Sequence, residues 1–212
     1  MASSFFERHR RSVRDIENEV RTKKRPLQLE ASFGIVGPAG TGRKTLGYRF
    51  GQMSGGVLEA VPPQYSYVSY FHRCVRNNYT VRRIQVFLRG YIIDQPEELP
   101  ERNPPYYVNE WERFCCLLFV FDMSDIQSLN NTSEYLTTFR NVHAHLPDCY
   151  LVGNKVDLRD PTGANIREVD QRRAIFEAAQ LGTNFYECSA KFNINVQPLL
   201  DDVVERAIRE RD

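Results

Sequence analysis

The chain has 212 residues, enough to bury a core without a disulfide or metal staple and short enough for one α/β domain with additions. Lys and Arg total 28 against 27 Asp and Glu, so a net charge of +1 excludes the broad positive field that bulk nucleic-acid binding requires. With 42% hydrophobic and 26% charged residues, the composition excludes collagenous, mucin-like, disordered and disulfide-scaffold classes.

Residues 1–26 form a first unit. Ser4 and Glu7 have capping-box spacing, and Phe6, Val13, Ile16 and Val20 recur at helical intervals. Arg8, Arg10, Arg11, Arg14, Arg21, Lys23, Lys24 and Arg25 make the segment basic, and Pro26 ends it. The expectation is an extra N-terminal helix, either a solvated helix on the domain or, over residues 4–25, a contact with a partner or a membrane surface. The arginines stand where a signal peptide would need an apolar core, and the longest apolar run, Cys115–Phe121, is far too short to span a bilayer. The five cysteines include adjacent Cys115 and Cys116 and form no zinc-like spacing. Buried free thiols in a reducing cytoplasm are therefore expected. The final stretch, Ile208–Asp212, carries no prenylation cysteine, so a lipid anchor would need further residues.

Residues 27–212 are expected to form one domain of alternating strands and helices. Phe33–Val36 reads as a short strand, Gly37–Gly42 as a glycine-rich turn and Lys44–Met53 as a helix. Tyr65–Val75 and Tyr79–Phe87 read as strands joined at Asn77-Asn78. The stretch from Ile92 to Pro105, rich in Pro and Glu, reads as a long surface loop. Cys115–Phe121 and Tyr150–Val152 have the continuous apolar character of strands covered on both faces. Leu129, Leu136, Phe139 and Val142 mark a helix, Asp170–Gln180 another, and Phe185–Tyr186 a last strand. Val196, Leu199, Leu200, Val203, Val204 and Ile208 form the apolar stripe of a closing helix. Such alternation predicts a mostly parallel sheet with helices on both faces.

Two stretches carry chemistry. Gly37-Pro38-Ala39-Gly40-Thr41-Gly42-Arg43-Lys44-Thr45 lies between a strand and a helix, where inward-turned backbone N–H groups and the helix N-terminus hold phosphate. The pattern G-x-x-x-x-G-K-[ST] places lysine after the second glycine, and this chain has Arg43 there. Without a gap, Arg43 takes the phosphate lysine's place and Lys44 that of the Mg²⁺-binding hydroxyl. With a one-residue bulge, Lys44 and Thr45 keep both roles, Thr45 then being the candidate metal ligand. Arginine does not trivially replace a lysine threaded through a tight loop. Mg²⁺ stays open at this point.

The second stretch is Gly153-Asn154-Lys155-Val156-Asp157, followed after the next strand by Glu187-Cys188-Ser189-Ala190-Lys191. A carboxylate at Asp157 can accept two N–H bonds from the guanine edge, which adenine does not offer, and an unpaired buried carboxylate would reject adenine. The Lys155 stem can lie against a base with its charge outward.

Together these motifs make residues 29–208 similar to a Ras-superfamily small GTP-binding domain, nearest the Rab branch. Leu118–Ser124 resembles that family's fourth strand and following turn, and Arg167-Glu168-Val169 is Rab-like as well. The resemblance implies a P-loop domain with a six-stranded sheet and five helices, and binding of GTP or GDP. It also implies that Asn154, Lys155 and Asp157 read guanine, with Ser189, Ala190 and Lys191 completing the base site and the Ala190 N–H meeting the guanine oxygen.

The resemblance fails at the switches. The family's Asp-x-x-Gly falls on Phe87 or Leu88 according to which glycine is aligned, and its catalytic glutamine on Tyr91 or Ile92. The first-switch threonine falls near Gln64–Ser66, where Ser66 is the one hydroxyl beside Tyr65, Tyr67 and Tyr70. With no catalytic residue identifiable, the expectation is a guanine-nucleotide-binding scaffold with slow or absent hydrolysis. Its protein partners would meet the tyrosine-rich 65–79 region and the loop 92–111. A divergent, working Rab-like GTPase is the alternative. A nucleotide kinase is the third reading, because Gly-Pro-x-Gly-x-Gly also resembles adenylate-kinase-type loops.

Overall fold

A computed structural model describes residues 27–53, 57–61, 64–77, 80–93, 114–142, 147–160, 162, 165 and 168–209. The expected N-terminal helix (1–26) and most of the loop after Ile93 lie outside these residues. The chain divides into two compact units, 1–29 with 72–85, and 30–71 with 86–212. The described residues of the smaller unit are all strand. The core and the site belong to the larger.

The elements are β1 (Leu27–Val36), α1 (Arg43–Met53), β2 (Val57–Val61), β3 (Gln64–Asn77), β4 (Thr80–Ile92), β5 (Phe114–Asp122), α2 (Ile126–Val142), β6 (Asp148–Asn154), a 3₁₀ turn (Val156–Leu158), α3 (Gln171–Gln180), β7 (Asn184–Glu187) and α4 (Val196–Arg209). The sheet order is β2-β3-β4-β1-β5-β6-β7. β1, β5, β6 and β7 pair in parallel, and β2 pairs antiparallel with β3. The expected α/β architecture is present with one strand more than the six anticipated. The extra strand is β2, five residues interrupted by Glu59 and too short to show a period. Asn77 is the last residue of β3 and not part of the turn, and the connecting residues 78–79 lie outside the description.

β5 holds the sheet's centre because it is apolar on both faces, with Cys115 to Phe121 all buried. Leu117, Phe119 and Phe121 point to one side, where they join Leu129, Leu136 and Phe139 of α2 and Ala174 and Ala178 of α3. The Phe119 and Phe139 rings meet edge to face with centroids 6.0 Å apart. α4 packs against β5 and α1 through the stripe Val196, Leu199, Leu200, Val203, Val204, Ala207 and Ile208, all buried. Asp170, expected as the first residue of a helix, caps α3 instead, its carboxylate accepting the Arg172 N–H at 2.6 Å.

β4 runs further than the expected Tyr79–Phe87. The strand runs to Ile92, and the Ile93 N–H donates to the Ile35 carbonyl at 3.0 Å, level with the start of the glycine-rich turn. Phe87 and Leu88 are therefore mid-strand, and Leu88 is set back by five residues, about 17 Å at roughly 3.3 Å per residue. Gly90 is a packing glycine: a Cβ there would come within 2.7 Å of the Phe33 ring. Tyr91 packs against Phe114 with centroids 5.5 Å apart, and Ile92 is buried. In sequence, the strand end is followed by Asp94-Gln95-Pro96-Glu97, which has glutamate where an Asp-x-x-Gly pattern has glycine.

Gly90→Val should destabilise the fold by about 1–3 kcal/mol through collision with Phe33, as read by chemical denaturation.

Candidate functional site

The carboxyl ends of β1, β5, β6 and β7 converge on one edge of the sheet, the usual place for a ligand in an open α/β fold. Gly37 follows β1, Asp122 ends β5, Asn154 ends β6, and Ser189 and Ala190 follow β7. The sequence-predicted residues are therefore brought together by strand register; Asp122 pairs with Asn154 across β5 and β6.

Asn154 is the junction. Its Nδ2 donates to the Thr41 carbonyl at 2.9 Å, and its Oδ1 accepts the Ala190 N–H at 3.0 Å. The amide is buried and links the glycine-rich turn to the loop after β7. Gly42 allows this approach: it adopts φ +90°, and a Cβ would lie 2.4 Å from Asn154 Nδ2. Thr41 is buried as well, its hydroxyl donating to the Pro38 carbonyl at 3.0 Å, so this side chain stabilises the turn itself. Thus the Ala190 N–H, expected to meet the base, is engaged by Asn154, and Thr41, expected in the phosphate-binding turn, directs its hydroxyl to its own loop.

α1 starts at Arg43, and the Gly42 carbonyl accepts the Leu46 N–H at 2.9 Å, the regular first helical bond. No additional residue bulges from the turn. Arg43, Lys44 and Thr45 are consecutively the first, second and third helical residues, which is the ungapped register. Arg43 is buried and its guanidinium donates to the Ile93 carbonyl at the end of β4; Lys44 and Thr45 are exposed. The second helical position, where a P-loop carries the Mg²⁺-binding hydroxyl, is thus an ammonium. Among the described residues no three His, Cys, Asp or Glu converge to hold a metal. An ammonium at that position does not suit Mg²⁺.

Lys155 adopts φ +66°, and its ammonium pairs with Asp122 Oδ2 at 2.6 Å. Asp122 Oδ1 accepts the Ser124 N–H at 2.9 Å and its hydroxyl at 2.7 Å. Burial pushes the Asp122 carboxyl up, but the bonds from Lys155 and Ser124 outweigh it and hold the group below the usual aspartate range. Lys155 leads into the 3₁₀ turn that carries Asp157, whose Oδ1 is buried and accepts no hydrogen bond from the described residues. The segment beyond is fastened by Arg159, which pairs with Glu187 and, at 3.4 Å, with Glu168.

After β7, Ser189 and Ile194 exchange backbone hydrogen bonds at 2.9 and 3.0 Å, closing a tight loop. The Ser189 hydroxyl accepts the Phe192 N–H at 3.2 Å, and the exposed Lys191 ammonium lies 5.0 Å from the Phe192 ring centroid. Both side chains thus serve the loop. Arg49 of α1, which sequence reasoning missed, donates to the Ala190 carbonyl at 2.9 Å and the Lys191 carbonyl at 2.7 Å. No local motif could reveal it, since its partners lie more than 140 residues away. Behind the site, burial pushes the Cys188 thiol up to about 12, so it stays protonated and inert.

Residues 103–209 match the Ras family model, about half of the chain. Ras-related protein Rab-27B of Homo sapiens is 29% identical over 96 residues, 45% of this chain and 42% of that protein. Ras-related protein Rab-3 of Caenorhabditis elegans is 31% identical over 88 residues, 42% of this chain and 38% of its own length. GTP-binding protein yptV2 of Volvox carteri is 36% identical over 84 residues, 38% and 36% of the two chains. The alignments span about two fifths of each relative. The matched family region contains Asn154–Asp157 and Ser189–Lys191 and begins after the glycine-rich turn.

Asn154→Ala strands the Thr41 carbonyl and the Ala190 N–H and should cost about 1–3 kcal/mol in denaturant melts. For Asp122, a depressed folded pKa means stability that is present above the 3.8 of an unperturbed aspartate and is lost as pH falls below it. Wild type should therefore exceed Asp122→Asn in stability at neutral pH, and the gap should shrink as the pH drops below about 4. A constant gap would contradict the ion-pair account.

Proposed function

Because the chain belongs to the Ras family, we propose that it binds guanine nucleotide through Asp157 and acts as a scaffold or interaction module with slow or absent GTP hydrolysis. The observation that carries this reading is the buried, unsatisfied Asp157 Oδ1. An orphaned buried acceptor costs about 1–3 kcal/mol, and a pair of donors on a guanine edge would remove that cost. The bases of ATP or CTP offer no such pair. Impaired hydrolysis is supported by the ungapped turn, which puts Lys44 where the metal-binding hydroxyl belongs, and by Glu97 where the third motif has glycine. Phosphoryl transfer depends on positioning and charge neutralisation, so both departures act on the step that matters.

Residues 65–79 and 92–111 are the proposed faces for protein partners, and residues 4–25 the proposed peripheral membrane contact, each on composition. Among the described residues no helix is long and apolar enough to cross a membrane. A cytoplasmic location is part of the same proposal. Asp94, two residues beyond β4 in sequence, favours the second reading, a divergent GTPase that still cycles.

Chromatography of nucleotide released from the purified protein should identify GTP or GDP. Asp157→Asn should lower guanine-nucleotide affinity by roughly 100-fold or more and shift preference toward xanthine nucleotides. Unchanged selectivity would exclude the base contact. Single-turnover incubation with GTP and Mg²⁺ should leave the triphosphate intact; brisk phosphate release would favour the cycling GTPase.

A further inference from the structure

We propose that the phosphate cradle binds its nucleotide without a divalent cation, the positive charge a metal would bring being supplied by Lys44 at the start of α1. The proposal rests on the guanine-nucleotide reading above and deepens it.

The geometry begins with the helix start. With the Leu46 N–H bonded to the Gly42 carbonyl, the backbone is helical from Arg43, leaving no slack for the one-residue bulge that would return a hydroxyl to the metal's side. Lys44 occupies the second helical position and is exposed toward solvent. Thr45, one residue on, is rotated about 100° around the helix axis, so its hydroxyl cannot stand in for the missing one. An ammonium and a divalent cation at neighbouring points repel strongly, and the repulsion weakens only with full hydration. The same ammonium is attracted to phosphate oxygens, and the N-terminal N–H groups of α1 act in the same direction.

Arg43 plays a different part. It is buried, and its guanidinium holds the Ile93 carbonyl, so its side chain ties the helix start to the end of β4. Its fixed positive charge beside the glycine-rich turn further disfavours a metal there. Two cationic side chains in succession therefore stand where the family pattern has one cation and one neutral hydroxyl.

The test uses the full chain stripped of nucleotide and a fluorescent GDP analogue. Its affinity should be the same in millimolar Mg²⁺ and in excess EDTA, and elemental analysis of the complex should find no stoichiometric Mg²⁺. Lys44→Ser, a change at an exposed site whose fold can be checked by circular dichroism, should lose about tenfold in affinity in EDTA and recover it when Mg²⁺ is added. Wild-type affinity that rises steeply with Mg²⁺ would overturn this proposal while leaving guanine binding intact. Absence of binding in both conditions would remove the nucleotide reading itself, and this proposal with it.

Discussion

One buried side-chain amide holds the site together. Asn154 donates to the Thr41 carbonyl and accepts from the Ala190 N–H, so loops distant in sequence are fixed to the end of β6 by hydrogen bonds made within the protein. Everything nearby is arranged for that contact. Gly42 lacks the Cβ that would block it, and Thr41 folds its hydroxyl back onto Pro38. The amide is worth more than two surface hydrogen bonds because its partners, once buried, have no water to fall back on.

The remaining chemistry divides between the two halves of the site. On the base side, Lys155 and Asp122 form a partly buried pair that secures the turn leading to Asp157, and Arg159 secures the segment after it. On the phosphate side the cradle keeps its glycines but changes its charged residues. The region matching the Ras family covers the first of these halves.

Much of this was legible from residue patterns. The apolar run Cys115–Phe121 announced a central strand and the stripe from Val196 to Ile208 a covering helix, because each is a local signal, and the motifs around Asn154 and Ser189 pointed to residues that the fold brings together. Gly90 misled for the opposite reason: its role is set by Phe33, a residue on a neighbouring strand that no local pattern connects to it. Reading it as a motif glycine put the third motif at Phe87 and Leu88, which lie in mid-strand because β4 runs on to Ile92. The choice of register at Arg43 was likewise undecidable from spacing alone, since it depends on where the first helical hydrogen bond forms. Arg49 shows the same limit in its simplest form, a long side chain whose partners are brought to it by folding alone.

Arg49 also has a mechanical consequence. Its guanidinium reaches from the middle of α1 to two carbonyls of the loop after β7, bridging the helix that starts at the phosphate cradle and the loop beside the base site. Strain imposed at either end is thereby shared. Loosening of the helix and opening of the loop become one cooperative event, and their amide protons would exchange with solvent together.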